Sequence, residues 1–124
     1  MAAPDLRERT FEFSRRIVAL CLELDKRPGV GHTLGNQVLR SGTSIGANVE
    51  EAQASQSRAD FTAKTSIACK EARETHYWLR LMAASSLIPA DRLEPLTAEC
   101  NELIAILTVI VKKTREGTKE GTRK

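Results

Sequence analysis

Histidine and glutamate are the first side chains in this chain to test for metal chemistry, because helical proteins bind iron pairs through them. A di-iron site in a helical bundle uses Glu three residues before His. Here Arg73 precedes His76 at that distance, and Gly29 precedes His32. The spacing fails at both histidines, so we predict no metal site.

Cysteine and serine give no better support for a reactive site. Cys21, Cys69 and Cys100 lie in apolar windows without CxxC spacing, which favours buried thiols in a reducing cytoplasm. Ser41 and Ser44 have no His at helical reach, so a hydrolytic triad is not indicated. The chain also lacks a Gly-rich phosphate loop. We therefore predict that the protein is not an enzyme and needs no cofactor.

The segment KEARETHYWLR, residues 70–80, concentrates charged and aromatic side chains. Helical spacing places one set of side chains on part of one face: Lys70, Arg73, Tyr77 and Arg80. It places a second set on another face: Glu71, Glu74 and Trp78. The segment could be a solvated face with salt bridges to neighbouring helices. It could also be a subunit or partner interface with Trp and Arg anchors, or an RNA-facing strip with an aromatic ring for stacking.

The positive charge is concentrated at the carboxyl end. The net charge is +3, but residues 112–124 contribute +4, which leaves −1 for the other 111 residues. A near-neutral body is not the usual footprint of a nucleic-acid-binding domain. The end could still bind RNA or DNA weakly and in a salt-sensitive way; its candidate contacts are Lys112, Lys113, Arg115, Lys119, Arg123 and Lys124.

Four helices must position these residues. Apolar side chains recur at steps of three and four in segments 5–25, 33–54, 57–86 and 91–115, and no strand-like alternation competes. Short connections between long helices predict an all-α, antiparallel up-down-up-down four-helix bundle. We expect the bundle domain over residues 5–115 and a disordered basic tail over residues 116–124. No apolar run approaches the roughly 20 residues that span a bilayer, so we expect no membrane contact.

The window SGTSIGANVEEAQ, residues 41–53, is rich in residues that weaken a helix interior. Ser41, Ile45, Asn48 and Ala52 share one face, with Ser44 and two glycines beside it. Small residues allow helix backbones to approach closely, so we predict a helix-contact face. Asn48 is expected to bond to a neighbouring helix and to fix the register of packing; a functional pocket is the alternative.

These segments resemble a known family. RSGTSIGANVEEAQASQSRADF and KEARETHYWLRLM are similar to the bacterial four helix bundle proteins, which include proteins encoded by intervening sequences within 23S ribosomal RNA genes. The resemblance covers roughly residues 6–115. Ala52 stands where the family commonly has Gly.

The resemblance implies a bundle that assembles into a ring, typically a homopentamer, with no established catalytic activity. We therefore expect a cytoplasmic, non-enzymatic homo-oligomer that presents an interaction surface. The alternative is an RNA- or DNA-binding accessory linked to ribosomal RNA intervening sequences or to a retroelement. A related bundle of diversity-generating retroelements binds nucleic acid, but this sequence lacks the strongly basic body of that protein.

Overall fold

Four α-helices form the molecule in the computed structural model, which describes the backbone of residues 5–123 and the side chains of residues 5–117. The helices are α1 (Leu6–Leu24), α2 (Val30–Gln53), α3 (Arg58–Ala84) and α4 (Ala90–Arg123). No strand occurs between residues 5 and 123. The all-α four-helix bundle predicted from the apolar spacing is therefore confirmed.

The contacts between α1 and α2 run in opposite directions along the two helices. Gly35 lies against Leu24, Gly42 against Ile17, and Gly46 against Thr10. As the residue number rises on α2, it falls on α1, so the two helices are antiparallel.

The other helix pairs show the same reversal. The partners across α2 and α3 are Arg40 with Glu74 and Glu51 with Lys64, and those across α3 and α4 are Cys69 with Thr108 and Ala72 with Cys100. Helices α1 and α4 meet at fewer positions, with Arg9 on Glu99 and Glu23 on Arg92. The bundle is therefore up-down-up-down, with α1 opposite α3.

The core is aliphatic, as the low aromatic content predicts. Each helix contributes fully buried side chains, which include Phe13, Ile17, Leu24, Val38, Ile45, Leu79, Met82, Leu103 and Leu107. Burying a side chain of this size contributes about 1.5–3 kcal/mol. This core fixes which face of each helix points to solvent, and so it decides which side chains can form a site.

Side chains cap two of the helix starts. Asp5 caps α1 by accepting from the Arg7 amide at 3.0 Å, and Ser57 caps α3 by accepting from the Asp60 amide at 3.0 Å. Helix α4 begins at Ala90, so Asp91 lies inside its first turn and is not the cap. There its charge favours the helix through the macrodipole.

Helices α2 and α4 are longer than the sequence predicts. Helix α2 begins at Val30 instead of Thr33, because Gly29 adopts a φ of 80° and turns the chain directly into the helix. Helix α4 continues to Arg123 instead of ending near Arg115. Lys, Arg and Glu are good helix formers, and one Gly costs only about 1 kcal/mol in a helix interior. The division into a bundle domain and a basic tail at residue 116 stays a prediction.

Candidate functional site

The small residues of α2 lie where its backbone comes close to two neighbouring helices, α1 and α3. Ser41, Ile45 and Ala52 are buried on one face. Gly42 and Gly46 point to α1, where an added Cβ would lie 2.8 Å from Ile17 Cγ1 and 3.3 Å from the Thr10 carbonyl oxygen, respectively. Contacts this short leave no room for a side chain at Gly42.

Asn48 bonds within its own helix and not across to a neighbour, which corrects the expected partner. Its amide nitrogen donates to the Ser44 carbonyl at 2.9 Å and contacts Ser44 Oγ at 3.1 Å. The side chain is half-buried, so it can reach the preceding turn without crossing to another helix. Its role in setting register stays a prediction.

The buried polar contact between α2 and α3 lies at Ser41 instead. Thr75 Oγ1 is 2.9 Å from Ser41 Oγ and 2.8 Å from the Glu71 carbonyl oxygen, and both side chains are fully buried. Two adjacent hydroxyls can satisfy each other in either direction. Ser41 carried no sequence signal for this pairing, since its partner is 34 residues away.

The segment 70–80 divides between two surfaces. Glu71 and Glu74 pair with Arg40 of α2, and the Trp78 indole N–H donates to Glu74 at 3.0 Å. These acids therefore form salt bridges to the neighbouring helix inside one molecule. Tyr77 packs edge-on against Trp78 with ring centroids 5.2 Å apart, and Arg80 lies 5.9 Å from the Tyr77 centroid.

Two of the three basic residues of that segment, Lys70 and Arg73, line a groove between α3 and α4, which we call the basic groove. It has a volume of about 580 Å³. Cations from α3 and from α4 stand along it, although they are about 40 positions apart in the chain. Its lining is Ser66, Cys69, Lys70, Arg73, Thr108, Val111, Lys112, Arg115 and Glu116.

Only some of the residues predicted to contact nucleic acid line the basic groove. Arg115 also donates to Ser66 Oγ at 3.2 Å, which ties α4 to α3. Lys113 is exposed and does not line the groove. Lys119, Arg123 and Lys124 lie outside the described side chains.

A second surface, between α1 and α2 on the other side of the bundle, is apolar, and we call it the apolar strip. Phe11, Val18, Leu22 and Leu39 are 62%, 41%, 65% and 36% exposed and line two adjoining hollows along the same helix pair. Both signs of charge border the strip, at Arg15, Glu12, Glu50 and Asp25. Sequence periodicity did not single it out, since α1 already had a complete inward stripe.

Two of the three thiols have raised pKa values. Burial raises the pKa of Cys21 to about 11 and that of Cys100 to about 12, with the nearby Asp25 and Glu99 carboxylates adding to the respective shifts. The thiolate is the nucleophile, so both sulfurs are inert near neutral pH. Burial, together with the charge of Arg80, also lowers the pKa of His76.

Residues 5–117 contain no cluster of three or more His, Cys, Asp or Glu that could hold a metal ion. Within the described part of the chain, none of the helices combines the length and apolarity that a membrane crossing requires.

The antiparallel four-helix architecture and these helix faces define a class of all-α bundle proteins. Residues 5–109 match the family model of the 23S rRNA-intervening sequence protein. The chain therefore belongs to that family, as its sequence motifs indicated.

A solved structure gives independent support. A protein with unknown function from the S23 ribosomal protein family of Bacteroides thetaiotaomicron is 42% identical, with a TM-score of 0.79. The match covers 86% of this chain and 97% of that one. No curated protein matches the chain. Neither the family nor the structural relative indicates an enzyme.

Proposed function

We propose that the protein is a non-enzymatic bundle that self-associates through the apolar strip and presents the rest of its surface to a partner. The observation that carries this proposal is the strip itself. Among the side chains of residues 5–117, four of the eight large apolar ones that stand exposed lie on this one surface. Contiguous apolar surface of this kind marks interaction sites.

A second copy of the chain is the occupant that the strip fits. The charges at its edges are of both signs, which favours association with another mixed surface over a strongly acidic or basic partner. The near-neutral body adds little self-repulsion between copies.

The assembly that we propose is a closed ring, with five copies as the expected number. A cyclic ring requires the strip of one copy to meet a different surface on the next. The proposal includes a cytoplasmic location, which the three free cysteines favour.

Charge placed in the strip tests the proposal. Leu22→Asp and Phe11→Asp should each weaken assembly more than about tenfold, since a buried apolar side chain of this size contributes about 1.5–3 kcal/mol. Light scattering coupled to size-exclusion chromatography measures the change as a lower particle mass when the protein is diluted.

Val30→Asp is the matched control. Val30 is 67% exposed and lies on the same helix pair, but it does not line the strip. Its variant should keep the mass of the wild type. Equal disruption by Val30→Asp and Leu22→Asp would show that the strip is not the contact.

A further inference from the structure

The α3–α4 junction at the basic groove differs from the other helix junctions in its charges. Where α1 meets α4, Arg9 pairs with Glu99 at 2.8 Å, and where α2 meets α3, Lys64 pairs with Glu51 at 3.0 Å. At the basic groove, cations stand on both sides. Lys70 and Arg73 come from α3, and the opposite wall carries Lys112 and Arg115.

These four cations have no carboxylate partner among the side chains of residues 5–117. Among the described side chains of the lining, Glu116 is the single acid. Like charges repel, and a groove walled by one sign of charge raises the local concentration of counter-ions. The groove is therefore suited to an anionic ligand.

The uncharged side chains at the bottom of the groove have few hydrogen-bonding atoms that are free to contact a ligand. Thr108 Oγ1 donates to the Ile104 carbonyl at 2.7 Å, and Cys69 Sγ lies 3.4 Å from the same hydroxyl. Val111 supplies apolar surface beside them. The cations are thus the main polar contacts, which is the pattern of backbone binding and not of base reading.

The dimensions fit a strand. The lining extends over eight residues of α3, from Ser66 to Arg73, and over nine of α4, from Thr108 to Glu116, which are seven and eight steps along the helices. At about 1.5 Å per residue this is about 10–12 Å. A base-stacked strand, like one strand of a duplex, carries a phosphate about every 3.4 Å along its axis, so about three phosphates of a stacked strand span the groove. Packed helices are about 8–10 Å apart, which is too narrow for a duplex to enter.

From this geometry we infer that the basic groove binds the phosphate backbone of a single-stranded polynucleotide, about three phosphates at a time, without reading its sequence. The sequence alone placed such affinity at the carboxyl end, over residues 112–124. In the groove two of those cations, Lys112 and Arg115, stand beside Lys70 and Arg73 of α3.

The test is fluorescence anisotropy of a labelled oligouridylate at about 50 and 200 mM salt. The double variant Lys70→Gln with Lys112→Gln should bind about tenfold more weakly at the lower salt. Its log–log salt slope should be smaller in magnitude by about 1.4, because each phosphate contact to a single strand contributes about 0.7. An oligothymidylate should bind within about threefold of the RNA, because backbone contacts carry no base information.

The matched control is Lys26→Gln with Lys113→Gln, which removes the same charge from two exposed positions outside the groove. It should retain affinity within about twofold, if local contacts and not net charge decide binding. A chain shortened by residues 118–124 should also retain most of the affinity. Circular dichroism and mass measurements on every variant confirm that fold and assembly are intact.

Several results would overturn the inference. They are no binding at the lower salt, equal weakening by the control pair, and loss of binding on removal of residues 118–124. Displacement by uridine monophosphate at equal nucleotide concentration would indicate a mononucleotide site instead. Tighter binding of polyglutamate would indicate a protein partner. The inference is independent of assembly, since a monomeric Leu22→Asp chain should still bind the strand.

Discussion

Gly42 shows how one residue in the small-residue window decides helix packing. Its Cα faces Ile17, a β-branched side chain that is fully buried and cannot move aside. Gly is tolerated in the helix interior here because the close approach of α1 needs it. Gly35, which precedes that window, lies on the same side of α2 but in a looser contact.

Gly42→Ala and Gly35→Ala should therefore change stability in opposite directions. At Gly42 the new Cβ would lie 2.8 Å from Ile17 Cγ1, so overpacking of about 1–3 kcal/mol should exceed the helix-propensity gain of up to about 1 kcal/mol. At Gly35 the nearest atom is Leu24 Cβ at 3.5 Å, an ordinary contact, so the propensity gain should remain. Urea unfolding followed by circular dichroism measures both. Stabilisation by Gly42→Ala would mean that α1 can shift without loss.

Polar side chains were harder to place from the sequence than apolar ones. Asn48 stood at helical spacing with buried residues, so a partner on another helix was the natural expectation. It bonds to Ser44 because the preceding turn lies within reach of its amide. Ser41 and Thr75, which do meet across helices, could be paired only after the register of α2 against α3 was known.

Helix α1 is the least enclosed element of the bundle. It packs closely along α2 but meets α4 at few positions. Arg9 bridges this gap by donating to both oxygens of Glu99, at 2.8 and 2.9 Å, and to Glu102 at 2.8 Å. The Arg9 and Glu99 side chains are only 24% and 19% exposed, so this pair is less screened than a surface salt bridge.

Arg9→Gln should lower stability by about 1–2 kcal/mol, because it leaves Glu99 partly buried without its cation. The loss should appear first as faster hydrogen exchange in α1, since that helix has the weaker docking. Arg7→Gln is the control; Arg7 pairs with Asp5 at 3.5 Å, and both side chains are more than 40% exposed. That change should stay within about 0.5 kcal/mol. Equal exchange rates in the two variants would contradict a docking role for Arg9.

The helices themselves could be predicted well, because apolar spacing and caps are local signals. Asp5 and Ser57 show this at two helix starts. The end of α4 could not, because Gly117 and the threonines around it lower helix propensity without forbidding a helix. The basic groove was missed for another reason, since the spacing placed Lys112 and Arg115 in the fourth helix without showing that they stand beside Lys70 and Arg73. Convergence across two helices depends on which faces pack together, and periodicity in one segment does not report it.

On the whole molecule, the two candidate surfaces lie on opposite sides. The apolar strip belongs to α1 and α2, and the basic groove to α3 and α4. In a copy that makes contact through its apolar strip, the α3–α4 side of the same copy would remain available for a partner. A ring of copies could then present several grooves to one strand, and linked weak sites can exceed the affinity of a single site by about 10²–10⁴. The protein could therefore act by presenting binding surfaces, without catalysing a reaction.

The subunit count of the intact protein tests the central claim most directly. Light scattering after size exclusion, at micromolar concentration, gives the mass of the particle in solution. One chain has a mass of 13.7 kDa, so a five-copy ring should appear as a single species of about 69 kDa. That species should fall apart in Leu22→Asp and persist in Val30→Asp. A wild-type chain that remains a 13.7 kDa monomer at this concentration would contradict the account.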